Sequence, residues 1–89
     1  MLIIVTTNQF KKDLKRIVKR GKNINKLEEA VNTLQAEMPL EARYRNHQLI
    51  GNWFPCWECH VEPDWLLIYQ QTETELILIR TGTHSDLFD

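Results

Sequence analysis

The sequence predicts a single α+β domain over residues 1–89, in which one strand and two helices precede three to four antiparallel strands. Three observations support this fold class. A β-branched run opens the chain, two segments with apolar residues at helical spacing follow it, and shorter apolar or alternating segments separated by turn residues fill the second half. This order of elements predicts helices packed on one face of a small twisted sheet, with the opposite face open.

The first strand and the first helix are predicted within residues 2–21. Residues 2–5 form the β-branched run. Thr7 or Asn8 can then cap a helix, and Gly21 supplies its stop. The apolar residues of this helix recur at helical spacing and are Phe10, Leu14, Ile17 and Val18.

The second helix is predicted from a candidate cap and a buried stripe. Asn25 is followed three residues later by Glu28, a spacing that resembles a capping box. Pro39 ends the helix because proline cannot continue it. The predicted buried stripe consists of Leu27, Val31, Leu34 and Met38. The two helices should form a hairpin.

The second half of the chain predicts antiparallel strands at Trp57–Glu62, at 65–69 and at 76–80. The apolar runs at 66–69 and 76–79 are nearly continuous, which predicts central strands covered on both faces.

Alternation along the first of these strands separates an apolar face from a titratable one. The apolar face carries Trp57, Cys59 and Val61. The titratable face carries Glu58, His60 and Glu62. Pro63 then breaks the ladder, so we expect the Asp64 carboxylate to lie close to His60.

The formal net charge of −1 hides a strongly basic segment at residues 11–26. This segment holds eight of the eleven basic residues and a single acid, Asp13, for a net charge of +7. A solvated helix face is the commoner explanation of such a run, and a surface that follows nucleic-acid phosphates is the functional alternative. No apolar run approaches the ~20 residues that cross a bilayer, and residues 1–5 are too short and wrongly flanked for a signal peptide. We expect a cytoplasmic protein.

The three histidines of the chain precede, occupy and follow the predicted strands. Any one of them is most simply a surface residue with a salt-bridge partner. Together, His47, His60 and His84 could converge with Asp64 and Arg80 on the open sheet face as a metal-free phosphodiesterase site. Arg80 shares a side with Leu76 and Leu78 only if the last strand stays regular, and a bulge near Thr81 would reverse that.

Cys56 and Cys59 form a Cys-x-x-Cys pair, but neither metal nor redox use is expected. The pair lies in or beside a strand rather than at a helix N-terminus, and no second pair of ligands follows. The aromatic residues Trp53, Trp65 and Phe88 could belong to the core or could stack on RNA bases.

Three segments resemble the YafQ branch of the RelE-type toxins: HQLIGNW at 47–53, ECHVEPDWLLIY at 58–69 and RTGTHSDLF at 80–88. The resemblance extends over the whole chain in the order of elements. It implies a toxin of a bacterial type II toxin–antitoxin pair that cleaves mRNA in the ribosomal A site and is silenced by its antitoxin. The expected partners are therefore a cognate antitoxin, mRNA and the ribosome, with no cofactor. The toxin should be a monomer alone and a hetero-oligomer with its antitoxin.

By position, the resemblance implies acid–base roles for His47, His60, Asp64 and His84, and a phosphate contact for Arg80. Glu58 and Phe88 would support the site, and Glu58 stands where related chains often carry Asp. The residues expected to contact RNA or the ribosome are Lys11, Lys15, Lys19, Arg20, Lys22 and Arg45.

This chemistry needs no metal if the neighbouring 2′-hydroxyl attacks the scissile phosphate. We expect His84 to be the acid and His60 or His47, with Asp64, to form the base side. Two alternatives stay open from the sequence: a non-catalytic module that binds RNA or protein, and a metal-dependent nuclease.

Overall fold

The computed structural model describes residues 1–88, and Asp89, the last residue of the predicted domain, lies outside them. The predicted order of one strand, two helices and three to four further strands is confirmed, with four strands in the second half, and a short third helix ends the described chain. They are β1 (Ile3–Thr6), α1 (Asn8–Lys19), α2 (Ile24–Gln35), β2 (His47–Gln48), β3 (Trp57–Glu62), β4 (Trp65–Gln71), β5 (Glu75–Gly82) and α3 (His84–Phe88). None of the helices in residues 1–88 has the length and apolar character required to cross a bilayer.

The strands form one five-stranded sheet in the order β1-β5-β4-β3-β2. β1 runs parallel to β5, and the other neighbouring strands are antiparallel. β4 is the central strand, and its first five residues are buried on both faces, as predicted. In β5, Ile77 and Ile79 are only half-buried, so the prediction that β5 is covered on both faces is wrong along part of its length.

The main core lies between the sheet and the helices α1 and α2. Buried residues of both helices contact the alternate residues of β3, β4 and β5 that include Cys59, Leu67 and Leu76. Burial of each large aliphatic side chain here contributes about 1.5–3 kcal/mol to stability. The two helices therefore cover one face of the sheet, as expected.

A smaller apolar cluster covers part of the opposite face, which was predicted to be open. Leu87 of α3 packs over Leu66 and Ile68 of β4, and the segment 49–56 adds Leu49 and Trp53. The prediction is wrong here because α3 turns back over the sheet after β5. The functional face is therefore the area beside this cluster.

Two details of the helices differ from prediction. Asn23 caps α2 by accepting the N–H of Asn25, so the predicted capping box of Asn25 and Glu28 is wrong. The helix ends at Gln35, and Met38 is 60% exposed rather than part of the buried stripe.

In α1, the predicted apolar position Val18 is 56% exposed, whereas Asp13 is fully buried. Thr7 is the N-cap, as expected, and accepts the N–H of Phe10.

Candidate active site

Three imidazole rings form a row beside the small apolar cluster. His47 lies in β2, His60 in β3, and His84 is the first residue of α3. The ring centroids of His47 and His60 are 6.4 Å apart, and those of His60 and His84 are 6.0 Å apart. The structure therefore brings together three residues that are widely separated along the chain.

Strand register explains why these side chains share a face. His47 pairs with Glu58 across β2 and β3, and Glu58 pairs with Ile68 of β4. Ile68 in turn pairs with Arg80 of β5 because the register shifts next to this pair. Directly paired residues point to the same side of a sheet. The irregularity therefore places Arg80 on the histidine face rather than on the face of Leu78.

Glu58 is a buried carboxylate between two of the histidines. Its Oε1 lies 3.4 Å from Nε2 of His60 and 3.9 Å from Nε2 of His47. The Nδ1 atoms of both rings face backbone carbonyls, that of Pro63 for His60 and that of Arg45 for His47. Each ring is thus held between a carbonyl and the same carboxylate.

Asp64 pairs with His84, and the expectation that it lies against His60 is wrong. Its Oδ1 accepts the backbone N–H of His84 at 3.0 Å and lies 2.8 Å from Nδ1 of the ring. The hydrogen bond from the backbone N–H of His84 is the larger cause, and together with the contact to the ring it holds the pKa of Asp64 below its usual value. The mispredicted partner follows from topology, because the turn between β3 and β4 faces the start of α3.

Glu62 also departs from its predicted place among the titratable residues. The register shifts between His60 and Glu62, so simple alternation fails there. Glu62 accepts hydrogen bonds from Lys26 at 2.7 Å and Lys22 at 2.9 Å. These bonds lower the pKa of Glu62 and occupy Lys22, which was predicted to contact RNA.

Arg80 is anchored by the buried Asp13 of α1. Its Nε donates to Oδ2 of Asp13 at 2.7 Å, and Nη2 donates to Oδ1 at 3.1 Å. Burial opposes ionisation of Asp13, but hydrogen bonds from Arg80, Gln9 and the Thr81 N–H outweigh it and lower its pKa. The sequence analysis counted Asp13 only as a charge. Its position three residues after Phe10 and four before Ile17, inside the buried stripe, was the available signal.

Asp86 organises the start of α3, and sequence reasoning missed it as well. Thr83 and Asp86 each accept the backbone N–H of the other, which is a capping box. Asp86 also accepts two hydrogen bonds from Arg20, at 2.6 and 3.0 Å. The Arg20 contact is the main cause of the strongly lowered pKa of Asp86. Arg20, predicted to bind RNA, is therefore engaged within the protein itself.

Gly82 permits the close approach of Asp86 to the end of β5. A Cβ added at Gly82 would lie 2.9 Å from Cβ of Asp86, closer than side chains tolerate. The signal in the sequence was the spacing of Thr83 and Asp86 directly after this glycine.

The remaining predicted contacts to RNA divide into two groups. Lys11, Lys15 and Lys19 lie on the exposed side of α1, and within residues 1–88 no carboxylate lies within 4.0 Å of them. Arg45 has a left-handed backbone conformation and lines a cleft of about 280 Å³ together with His60. Arg45 therefore lies beside the histidine row, whereas the three lysines form a separate surface.

Phe88 extends the row beyond His84. Its ring centroid is 6.2 Å from that of His84 and 5.8 Å from that of Trp53, which meets it edge to face. Phe88 is 43% exposed, whereas Trp65 is fully buried in the core and donates its indole N–H to Thr81. An exposed aromatic ring next to the histidines offers a stacking surface for a base.

The two cysteines are reduced, and burial raises the pKa of both thiols, that of Cys59 to about 12. Burial therefore disfavours the thiolate form, which is the form that binds metal. Across the described part of the chain, no group of three or more His, Cys, Asp or Glu side chains could hold a metal ion.

Comparison with known proteins shows the family to which the chain is related. Residues 2–89 match the family described as the bacterial toxin of a type II toxin–antitoxin system, YafQ. The chain is 45% identical to the mRNA interferase toxin YafQ of Escherichia coli strain K12, over 92% of this chain and 90% of that protein.

Two solved structures are similar over almost the whole chain. A chain of the E. coli DinJ–YafQ toxin–antitoxin complex matches with a TM-score of 0.92 and 43% identity, covering 99% of this chain and 98% of that one. A metal-bound toxin from Helicobacter pylori matches with a TM-score of 0.93 and 44% identity, covering 99% of this chain and 100% of that one.

Proposed function

The chain belongs to the YafQ family of toxins of bacterial type II toxin–antitoxin systems, and on this basis we propose that it cleaves mRNA on the ribosome by histidine acid–base catalysis. It is an endoribonuclease, like its 45% identical E. coli relative that is named an mRNA interferase. The observation that carries the mechanism is the row of imidazole rings spaced 6.4 and 6.0 Å apart on the sheet face that also carries Arg80.

The reaction is an internal transfer of the phosphoryl group. A base removes the proton of the 2′-hydroxyl, and the 2′-oxygen forms a bond to phosphorus. The bond from phosphorus to the 5′-oxygen breaks, and an acid donates a proton to that oxygen. The products are a 2′,3′-cyclic phosphate and a 5′-hydroxyl. All of the chemistry is proton transfer and charge stabilisation, which histidine and arginine side chains can supply.

His84 is the acid in this proposal. Asp64 engages its Nδ1, so Nε2 is the nitrogen that is left to donate a proton. The carboxylate also fixes the ring orientation, which reduces the side-chain freedom lost when RNA binds.

His60 is the base, and its Nε2 accepts the proton once the ring turns from Glu58 toward the 2′-hydroxyl, so Glu58 takes the place of the Asp64 expected from the sequence. The attacking and leaving oxygens lie on opposite sides of phosphorus, so the base and the acid must flank one phosphate. The neighbouring rings of His60 and His84, 6.0 Å apart, fit that requirement. His47 lies on the far side of His60 from His84 in the row and is the alternative base. The buried Glu58 stabilises the imidazolium that forms when either ring accepts the proton.

Arg80 stabilises the charge that develops on the phosphate oxygens. It shares the face of Glu58 through their common partner Ile68. A guanidinium suits this role because its planar fork can contact two phosphate oxygens at once.

The ribosome and mRNA are the proposed substrate assembly because the site is open. The side chains of His47 and His84 are 51% and 55% exposed, so the toxin alone offers little enclosure to orient an RNA strand. The exposed Lys11, Lys15 and Lys19 supply a surface that can bind rRNA phosphates. Translation places this activity in the cytoplasm. A cognate antitoxin is the proposed protein partner, because E. coli YafQ forms a complex with DinJ.

The test is mRNA cleavage on programmed ribosomes with a defined scissile nucleotide. Replacing its 2′-hydroxyl with 2′-deoxy should abolish cleavage, and the wild-type product should end in a 2′,3′-cyclic phosphate. Toxin treated with EDTA and then separated from it should cut at an unchanged rate. Efficient cleavage of the 2′-deoxy substrate, or a 5′-phosphate product, would instead indicate a metal-dependent nuclease that uses water.

A further inference from the structure

We propose that Asp13 is a positioning residue of the toxin, which holds Arg80 so that the free edge of its guanidinium meets the scissile phosphate. The inference rests on the proposed role of Arg80. Asp13 contacts no histidine among the described residues and lies on α1, outside the segments that carry the family resemblance.

The geometry of the pair determines which part of Arg80 is occupied. Nε and Nη2 each donate one hydrogen bond to a different oxygen of Asp13. A guanidinium has five N–H groups, so this side-on contact uses only two of them. Among residues 1–88, both hydrogens of Nη1 and the second hydrogen of Nη2 have no hydrogen-bond acceptor. They form the end-on fork that can bind two oxygens of a phosphate.

Asp13 is itself held rigidly. Oδ2 also accepts the backbone N–H of Thr81 at 3.2 Å, and Oδ1 accepts the side-chain amide of Gln9 at 3.1 Å. Its side chain is completely buried, whereas that of Arg80 is 21% exposed. The Asp13 carboxylate is therefore fixed in position, and the Arg80 side chain that it binds is the part of the pair that reaches solvent.

The negative charge of Asp13 distinguishes its positioning role from simple electrostatic attraction of RNA. A carboxylate beside Arg80 reduces the local positive potential, so it should weaken phosphate binding if charge alone mattered. Its contribution must come from orientation, because a fixed Arg80 loses less side-chain freedom when it contacts the charge that develops on the phosphate in the transition state. Loss of Asp13 should therefore slow cleavage without weakening binding.

The experiment measures single-turnover cleavage on programmed ribosomes at increasing ribosome concentration. Asp13→Asn retains one side-chain oxygen but replaces the other with an amide NH2 group. That group faces an N–H donor and cannot accept its hydrogen bond. We expect the maximal rate to fall by about 10–100-fold, as for a misplacement near 1 Å. The half-saturating ribosome concentration should stay constant or decrease. Glu28→Gln, an exposed change on α2, is the control and should alter neither value.

A double-mutant cycle shows whether Asp13 acts through Arg80. Arg80→Ala should slow cleavage, and adding Asp13→Asn to it should slow cleavage no further. An equal loss in both backgrounds would assign Asp13 to the fold and overturn the proposal. If Asp13→Asn cleaves at the normal rate and Arg80→Ala is slow, the positioning role of Asp13 is overturned, but the catalytic role of Arg80 stands. A normal rate for Arg80→Ala would refute the role of Arg80 itself, and the inference with it.

Melting temperatures of all variants accompany the rates. If Asp13→Asn does not fold, Asp13→Ser replaces it, because its hydroxyl can accept the Thr81 N–H but cannot hold the guanidinium. Failure of both variants to fold would make Asp13 a folding residue and overturn the proposal.

Discussion

Asp64 holds His84 at two points, because its Oδ1 accepts the backbone N–H at 3.0 Å and lies 2.8 Å from Nδ1 of the ring. The contact joins the turn between β3 and β4 to the first residue of α3. His84 thus has a fixed orientation although its side chain is 55% exposed. A side chain that donates a proton to a bound RNA must be both correctly oriented and accessible, and His84 is both.

Replacing His84 should remove the acid and leave the fold intact. His84→Ala and His84→Gln should each lower the single-turnover rate by about 10²–10⁴-fold. The melting temperature should change little because the ring is exposed and belongs to neither apolar cluster. Ser85→Ala, at the neighbouring exposed position, is the control.

A substrate with sulfur in place of the 5′-oxygen tests the assignment of acid and base. Sulfur is a better leaving group and needs no proton, so this substrate should restore most of the rate to His84→Ala. It should not restore the rate of His60→Ala, which lacks the base. Cleavage by both His84 variants at the wild-type rate would show that the proton comes from another group.

Reversing charge on the exposed side of α1 should weaken ribosome binding. With Lys11, Lys15 and Lys19 changed to Glu, three phosphate contacts are lost, and the slope of log Kd against log salt should decrease by about 2. The measurement is a binding titration at several salt concentrations, with Glu28→Gln as control. An unchanged slope would show that these lysines are merely solvated.

Arg20 should behave differently from those three lysines. Because it is bonded to Asp86 at the start of α3, Arg20→Gln should loosen the helix that carries His84. We expect a lower melting temperature and a slower cleavage rate, with the salt slope nearly unchanged. A reduced salt slope with unaltered stability would restore Arg20 to the RNA-binding surface.

Acid should destabilise the toxin through its paired aspartates. Asp13 and Asp86 have pKa values below their ordinary value of 3.8 in the folded protein. A lowered folded pKa contributes stability above the unfolded pKa, and that stability is lost as pH falls through the folded value. When the pH is below about 4, the melting temperature should therefore be several degrees lower. Asp86→Asn should show a shallower decline, and an identical decline would exclude Asp86 as a source.

Several features of the fold were predictable because they depend on local periodicity. The bounds of β3 agree with the prediction, and so does the side-by-side placement of Glu58 and His60. The cap of α2 was not predictable in the same way, because both Asn23 and Asn25 are suitable capping residues and only Asn23 has the required backbone conformation.

By itself, the sequence determined the α+β class, the order of elements and the family, because these rest on contiguous patterns and motifs. Only the tertiary structure decided which carboxylate pairs with which basic side chain. Asp13 and Arg80 are 67 residues apart, and Arg20 and Asp86 are 66 apart. Local periodicity carries no information about such pairs. They depend on the register shift opposite Ile68 and on how α1 and α3 meet at the end of β5, which folding of the whole chain alone sets.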